Sequence, residues 1–322
     1  MNDIISTPVN KDAQQEVKNV LKYLAQISYE KIVTGQHVQT LAMEELATVR
    51  EHTGKEPALL GFELLSYSPN INYLDTDEEC MTEVTENYGM LRRAWEWAEK
   101  KGLITFTWHW FSPVGGRSKS FFSVNTNFDA SRAVISGTPE YDALISDMDV
   151  MAGILRPFCD RHIPILWRPF HESEGDWFWW GKCGPDTVRE LWKIMYERFT
   201  CHHRLNNLIW VWNSTKKECY PGDDMVDIIS RDMYPEAHNH GSQKAEFDGM
   251  LDITDAKKII TIGEIGVLPD PEAVHAEKAG WASFMVWSRV FCLTEQFNTY
   301  EYMKKVYDSE RAVTLETLPE LY

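Results

Sequence analysis

Apolar positions along this chain follow two rhythms. Short, almost continuous apolar runs recur at 31–35, 58–64, 103–108, 163–167, 208–212, 226–231, 259–263 and 283–287. Runs of that length and density are expected for parallel strands covered on both faces. Between them lie stripes of helical period: Val17, Val20, Leu21 and Leu24; Leu91, Ala94, Trp95 and Ala98; Leu144, Met148, Met151 and Leu155; Val188, Leu191, Trp192, Met195 and Phe199. Each stripe predicts a helix with one buried face. Thr138 and Pro139 read as an N-cap and a first helical residue, and Gly102 as the residue that ends the second stripe.

Strand-like runs alternating with helices, without a linker or a break in composition, predict one α/β domain over 1–322. The expected form is a closed (β/α)8 TIM barrel. A doubly wound open sheet is the alternative, but no glycine-rich phosphate loop follows the first run. The chain has no internal repeat and no low-complexity segment.

In such a barrel chemistry belongs at the C-terminal ends of the strands. Those ends carry His37, Glu63, His109 with Trp110, Arg168 through Glu172, Asn213, Tyr234, Glu264 and Trp287. Glu172 and Glu264 end the fourth and seventh runs, which face each other across a barrel mouth. A glycosidic bond needs a proton donor for its leaving oxygen and a second carboxylate for the developing oxocarbenium ion. Neither glutamate lies on a polar helix face, where a solvated charge is the ordinary reading.

Charge and composition narrow the partner. The net charge is −17, from 32 Lys+Arg against 49 Asp+Glu, so a basic nucleic-acid footprint is absent and a polyanionic substrate would be repelled. A neutral partner fits better. The segment 167–181 holds four Trp and two Phe around a charged centre. Four of these aromatics fall in a glycine-flanked loop, where they read as sugar platforms; a lid packed on the rim is the plainer alternative.

Metal and cofactor signals are missing. Six cysteines, at 80, 159, 183, 201, 219 and 292, show no CxxC pairing and read as free buried thiols. His171-Glu172 begins like HExxH, but position 175 is glycine. No apolar run approaches the roughly 18 residues of a membrane span, and the N-terminus lacks signal-peptide regions. A monomer without membrane or nucleic-acid partners is expected. Its expected address is secreted, with a leader absent from this chain, or cytoplasmic if Met1 is the native start.

Several segments together carry a resemblance. RPFHE at 168–172 with WFWWG at 177–181, GEIG at 263–266, GQH at 35–37, WHWFSP at 108–113, Asp232-Met233-Tyr234 and FMVWS at 284–288 resemble glycoside hydrolase family 26, mostly endo-β-1,4-mannanases. The resemblance implies Glu172 as general acid/base and Glu264 as nucleophile of a retaining enzyme acting on β-mannan. It further implies that Tyr234 donates to the nucleophile and that His171 orients the acid or touches the −1 sugar. His109 and Trp177 would line −1 and −2, Trp287 would be the −1 platform, and Trp110 and Arg168 would touch substrate or support the mouth. Mixed-linkage β-glucan and β-1,3-xylan are the alternative substrates, and a non-catalytic sugar-binding barrel the alternative role. Glu174 and Asp176 depart from the small or amide residues of many members.

Overall fold

The computed structural model describes residues 4–322. Its strands are β1 (Ile32–Val33), β2 (Gly35–Val38), β3 (Leu59–Glu63), β4 (Leu103–Thr107), β5 (Ile165–Arg168), β6 (Leu208–Asn213), β7 (Ile228–Met233), β8 (Ile259–Ile265) and β9 (Ala312–Val313). Strands β2 to β8 form one parallel sheet in sequence order, as short crossovers through helices of one hand require. The first predicted run is split at Thr34, and its leading half β1 pairs with β9 near the C-terminus. No periodicity announced β9.

The last predicted run, 283–287, is not a regular strand. Residues 281–287 nevertheless close the barrel by bonding to both neighbours. Toward β8, Ile262 N donates to Ser283 O (2.9 Å) and Ile265 N to Met285 O (2.9 Å). Toward the first stave, Phe284 N donates to Val33 O (3.1 Å), Val286 N to Gly35 O (3.0 Å) and His37 N to Val286 O (2.8 Å).

Side chains alternate across each strand, and that alternation builds two cores. Val33, Leu59, Leu103, Leu166, Ile209, Ile228 and Ile259 fill the lower barrel together with Val17, Val20, Leu21 and Leu24 of helix Gln15–Ile27. That helix therefore plugs the barrel floor. The alternate positions, among them Leu60, Ile104, Trp167, Trp210 and Ile260, pack outward in the larger core with the surrounding helices. Higher on the inward faces the residues turn polar: Glu63, Thr107, Arg168, Asn213 and Asp232, all but Asp232 fully buried.

Helix Pro139–Asp160 starts as expected, with Thr138 Oγ1 accepting from Tyr141 N at 3.1 Å. The end of helix Met90–Glu99 differs. Lys101, not Gly102, takes the left-handed conformation, with φ 64°. Gly102 is small for another reason: a Cβ there would fall 2.2 Å from Trp97 Nε1, which donates to Leu103 O at 3.0 Å. Among the described residues no helix is long and apolar enough to cross a membrane. All six cysteines are free; Cys80, Cys159, Cys219 and Cys292 are buried, whereas Cys183 and Cys201 are exposed.

Candidate active site

Glu264 faces the barrel interior because β8 is bulged. Simple alternation from Ile260 and Ile262, which pack in the outer core, would send residue 264 outward as well. The ladder with β7 slips instead: Arg231 pairs with Ile262 and Asp232 with Glu264, leaving Gly263 unpaired. An extra residue in one strand inverts the alternation beyond it. Only glycine fits there, since a Cβ at 263 would lie 2.5 Å from Asp232 Oδ1 and 2.6 Å from Asn213 Nδ2.

Three donors then fix the two buried carboxylates. Arg168, 1% exposed at the end of β5, donates through Nη1 to Asp232 Oδ2 (2.8 Å), through Nη2 to Thr107 Oγ1 (2.9 Å), and through Nη2 to Glu264 Oε1. Tyr234 Oη donates to Glu264 Oε2 at 2.7 Å. Asn213 Nδ2 donates to Asp232 Oδ1 at 2.7 Å. Burial alone would lower the Arg168 pKa, but Asp232 and Glu264 outweigh it and hold the guanidinium charged. Burial and the Glu264 charge raise the Tyr234 phenol well above its ordinary range, so it remains a donor.

Glu172 stands apart from that clamp. Its backbone has φ 52°, a left-handed conformation unusual outside glycine, and its N–H donates to Asn213 Oδ1 at 2.9 Å. Its carboxylate accepts from Trp177 Nε1 at 2.9 Å. Carboxylate oxygens of Glu172, Asp232 and Glu264 lie within 4.8 Å of one another. Three carboxylates against one guanidinium cannot all stay ionised at low cost in a buried site. Asp232 and Glu264 each accept two charge-compensating or polar donors, whereas Glu172 has one neutral indole. The shared proton therefore belongs on Glu172, whose pKa is pushed up to about 7 by burial and then by the Asp232 charge, with Glu174 adding to it. Asp232 is pushed up to a similar value, chiefly by burial, but the Arg168 and Asn213 bonds favour its ionised form. The other added carboxylate, Asp176, is exposed.

A histidine layer lies beside the pair. Glu63 Oε2 meets His109 Nδ1 at 2.7 Å, and Glu63 Oε1 also accepts from His109 N at 2.8 Å. Burial pulls the His109 pKa down, yet Glu63 and Glu264 outweigh it and raise it. His109 Nε2 lies 3.2 Å from His171 Nε2, and burial together with His109 and Arg168 keeps His171 neutral. His171 makes no hydrogen bond to Glu172, so of its two expected roles orienting the acid by a bond is not seen; Trp177 and Asn213 hold that residue. Trp287 stacks on His37 with centroids 4.0 Å apart and walls a cavity of about 280 Å³ with Gln39, Glu63, His109 and Arg289.

For Trp110 and Arg168 the structure decides between the two expected roles. Trp110 is 1% exposed, stacks on Trp108 at 4.1 Å and donates to Asp147 Oδ2 at 2.8 Å, so it supports the mouth from below and does not face substrate. The same holds for Arg168, which is spent on Glu264 and Asp232. In the aromatic loop the packed-lid alternative wins for Phe178, Trp179 and Trp180, which are at most 5% exposed. Trp177, 42% exposed, is the aromatic of that loop open to a ligand. Asp232 was quoted in a motif but given no role; the Asp-x-Tyr spacing at the end of a strand was the available signal.

Tyr234→Phe removes one neutral donor to a charged carboxylate, a bond contributing ~1.5–3 kcal/mol. The expected result is a kcat lower by roughly 10- to 100-fold with the fold retained. Steady-state kinetics checks it; an unaltered kcat removes Tyr234 from the machinery.

Fold and site define a class: a (β/α)8 barrel with two glutamates converging at the C-terminal face. The chain belongs to glycosyl hydrolase family 26, whose model matches residues 9–316. It is 35% identical over 317 residues to a mannan endo-1,4-β-mannosidase of Thermothelomyces thermophilus, covering 96% of this chain and 62% of that protein. It is 33% identical over 269 residues to mannan endo-1,4-β-mannosidase B of Piromyces sp, covering 83% of this chain and 45% of that one. The chain thus spans about six-tenths or less of these relatives' lengths. Among solved structures, the Podospora anserina GH26-CBM35 β-(1,4)-mannanase superposes with a TM-score of 0.89 at 33% identity, over 99% of this chain and 70% of that one. A β-mannanase from a symbiotic protist of the termite Reticulitermes speratus, complexed with gluco-manno-oligosaccharide, gives 0.88 at 30% identity over 98% of each chain.

Proposed function

We propose that this chain is a retaining endo-β-1,4-mannanase working by double displacement. The observation that carries the reading is the asymmetry of two close carboxylates. Retaining glycosidases hold their pair about 5–5.5 Å apart, without room for a water between nucleophile and sugar, and oxygens of Glu172 and Glu264 approach within 4.8 Å. Glu264, clamped by Arg168 and Tyr234, attacks the anomeric carbon. Glu172, carrying the proton, delivers it to the leaving oxygen. Glu172, now ionised, takes a proton from water, whose oxygen displaces Glu264 and restores the starting anomer. The names of the relatives supply the sugar, β-1,4-mannan.

The test is hydrolysis of linear mannan, galactomannan, lichenan and β-1,3-xylan, with NMR of the first-formed anomer. Fastest release from a mannan with the β-anomer first is expected. Initial α-anomer sinks the mechanism, and preference for lichenan or xylan sinks the substrate.

The raised Glu172 pKa also couples activity to stability. The folded value, about 7, exceeds the ordinary 4.5. The stability tied to its proton is therefore full below about 4.5 and lost as pH rises through about 7. Cleavage of natural glycan should fall over the same upper range, since the acid is then deprotonated. Glu172→Gln should melt higher than wild type above pH 7 and equally with it near pH 4; equal melting at both would contradict the protonated acid.

A further inference from the structure

Arg289 occupies a backbone conformation that normally requires glycine. Its φ of 55° and ψ of −121° are those of the first central residue of a type II′ turn, which Ser288 O and Phe291 N close at 3.4 Å. A bulky residue persists there only where its surroundings over-determine it. The turn follows Trp287 directly, and the Arg289 side chain lines the outer part of the cavity that Trp287 walls. There Arg289 Nε donates to Gln39 Oε1 (3.2 Å) and Nη2 to Glu86 Oε2 (2.6 Å). A glycine would relieve the turn but remove this guanidinium.

Glu45 explains how the strain is held. It lies in the first turn of helix Glu44–Thr53, on a helix edge where a sequence reader expects a solvated charge, yet it is 0% exposed. Its Oε1 accepts from the strained Arg289 N at 3.1 Å, and Oε2 has no partner among the described residues. The next turn is tied to the same residue, since Cys292 Sγ donates to Glu45 O at 3.6 Å. Burying a carboxylate with one oxygen unpaired is unfavourable, and no other ion pair or catalytic contact of Glu45 offsets it. Burial raises its pKa, and the backbone N–H groups of Arg289, of Glu45 itself and of Gln39 partly counter this.

We infer that Glu45 is a positioning residue, fixing the turn at Arg289 so that its guanidinium forms the far wall of the sugar-binding cavity, while Trp287 is held separately by its stack on His37 and its N–H to Ile265 O (3.0 Å). The inference rests on the mannanase reading for the identity of the sugar. The cavity adjoins Glu264, whose charge acts on its lining residue His109, and on that inference the first glycone sugar lies against Trp287 and the second against Arg289. Glu45 therefore governs recognition of the second sugar without touching it.

The experiment compares an activated aryl β-mannoside with the corresponding aryl β-1,4-mannobioside. Wild type should favour the mannobioside. In Glu45→Ala the ratio of kcat/KM for the two substrates should fall by roughly tenfold or more, a loss of the size that small misplacement of a binding wall produces. The change should sit in KM, with kcat for the mannoside little altered. Glu45→Gln, which keeps an oxygen for the Arg289 N–H, should restore most of the ratio. A Glu45→Ala variant that loses both substrates equally, or only melting temperature, overturns the inference. Should Glu45→Ala fail to fold, Glu45→Ala in an Arg289→Gly background decides: with the strain gone the double variant should fold, and failure to fold there as well overturns the assignment. If wild type cleaves neither aryl substrate, the mannanase reading fails instead.

Discussion

Glu264→Ala should abolish turnover on natural and activated substrates alike, by on the order of 10⁴- to 10⁶-fold in kcat. Asp232 cannot readily substitute, since it is held by Arg168 and Asn213 at 2.8 and 2.7 Å, and Glu172 is the proposed acid. The truncation leaves a small void between the Arg168 guanidinium and the Tyr234 hydroxyl, both of which donate to anions. Added azide should enter it, attack the anomeric carbon and displace the leaving group that Glu172 protonates. A single displacement inverts, so the product is the α-glycosyl azide. The Arg168–Asp232 pair survives the change, and with it the fold. Product NMR and a thermal melt check this; a β-glycosyl azide, or residual activity close to wild type, would refute the nucleophile assignment.

Glu172→Ala should behave differently with each leaving group. General acid catalysis typically contributes about 10²- to 10⁴-fold, and natural mannan, with its poor alkoxide leaving group, should lose that range. An aryl glycoside with an acidic phenol needs little protonation, so its first step should be nearly preserved. The second step lacks its base, so glycosyl-enzyme should accumulate after a rapid burst. Azide needs no base and should discharge that intermediate, now with two inversions, giving the β-glycosyl azide. The two variants thus give opposite azide anomers. Equal loss of mannan and aryl substrate, without a burst, would argue against Glu172 as the acid.

How far the sequence foretold the site depends on distance along the chain. Glu172 and Glu264 were visible because each ends a long apolar run, and strand ends in a barrel converge. Tyr234 on Glu264 came only through the family resemblance, since a packed tyrosine with a wet hydroxyl looks the same in one dimension. For Arg168 and Trp110 substrate contact and support of the mouth stayed equally open, because their buried partners decide between the two. Their partners, Asp232 and Asp147, are 64 and 37 residues away, and no local period reveals such pairs. The eighth stave was legible as an apolar run although its bonding is irregular, whereas β9, two residues long, falls below any periodic signal. Glu45 was invisible for the same reason as Arg168: its partner is 244 residues distant.

The unpaired glycine in β8 acts on the strand as a shifted reading frame acts on a message. Everything before residue 263 keeps the interior register, and everything after it is read on the opposite face. Pairing residue 263 into a regular ladder would leave every residue chemically intact while turning the nucleophile out under the helices and Ile265 into the sugar site. For anyone redesigning this barrel, the bulge at residue 263 is therefore a constraint as strict as the identity of the glutamate itself.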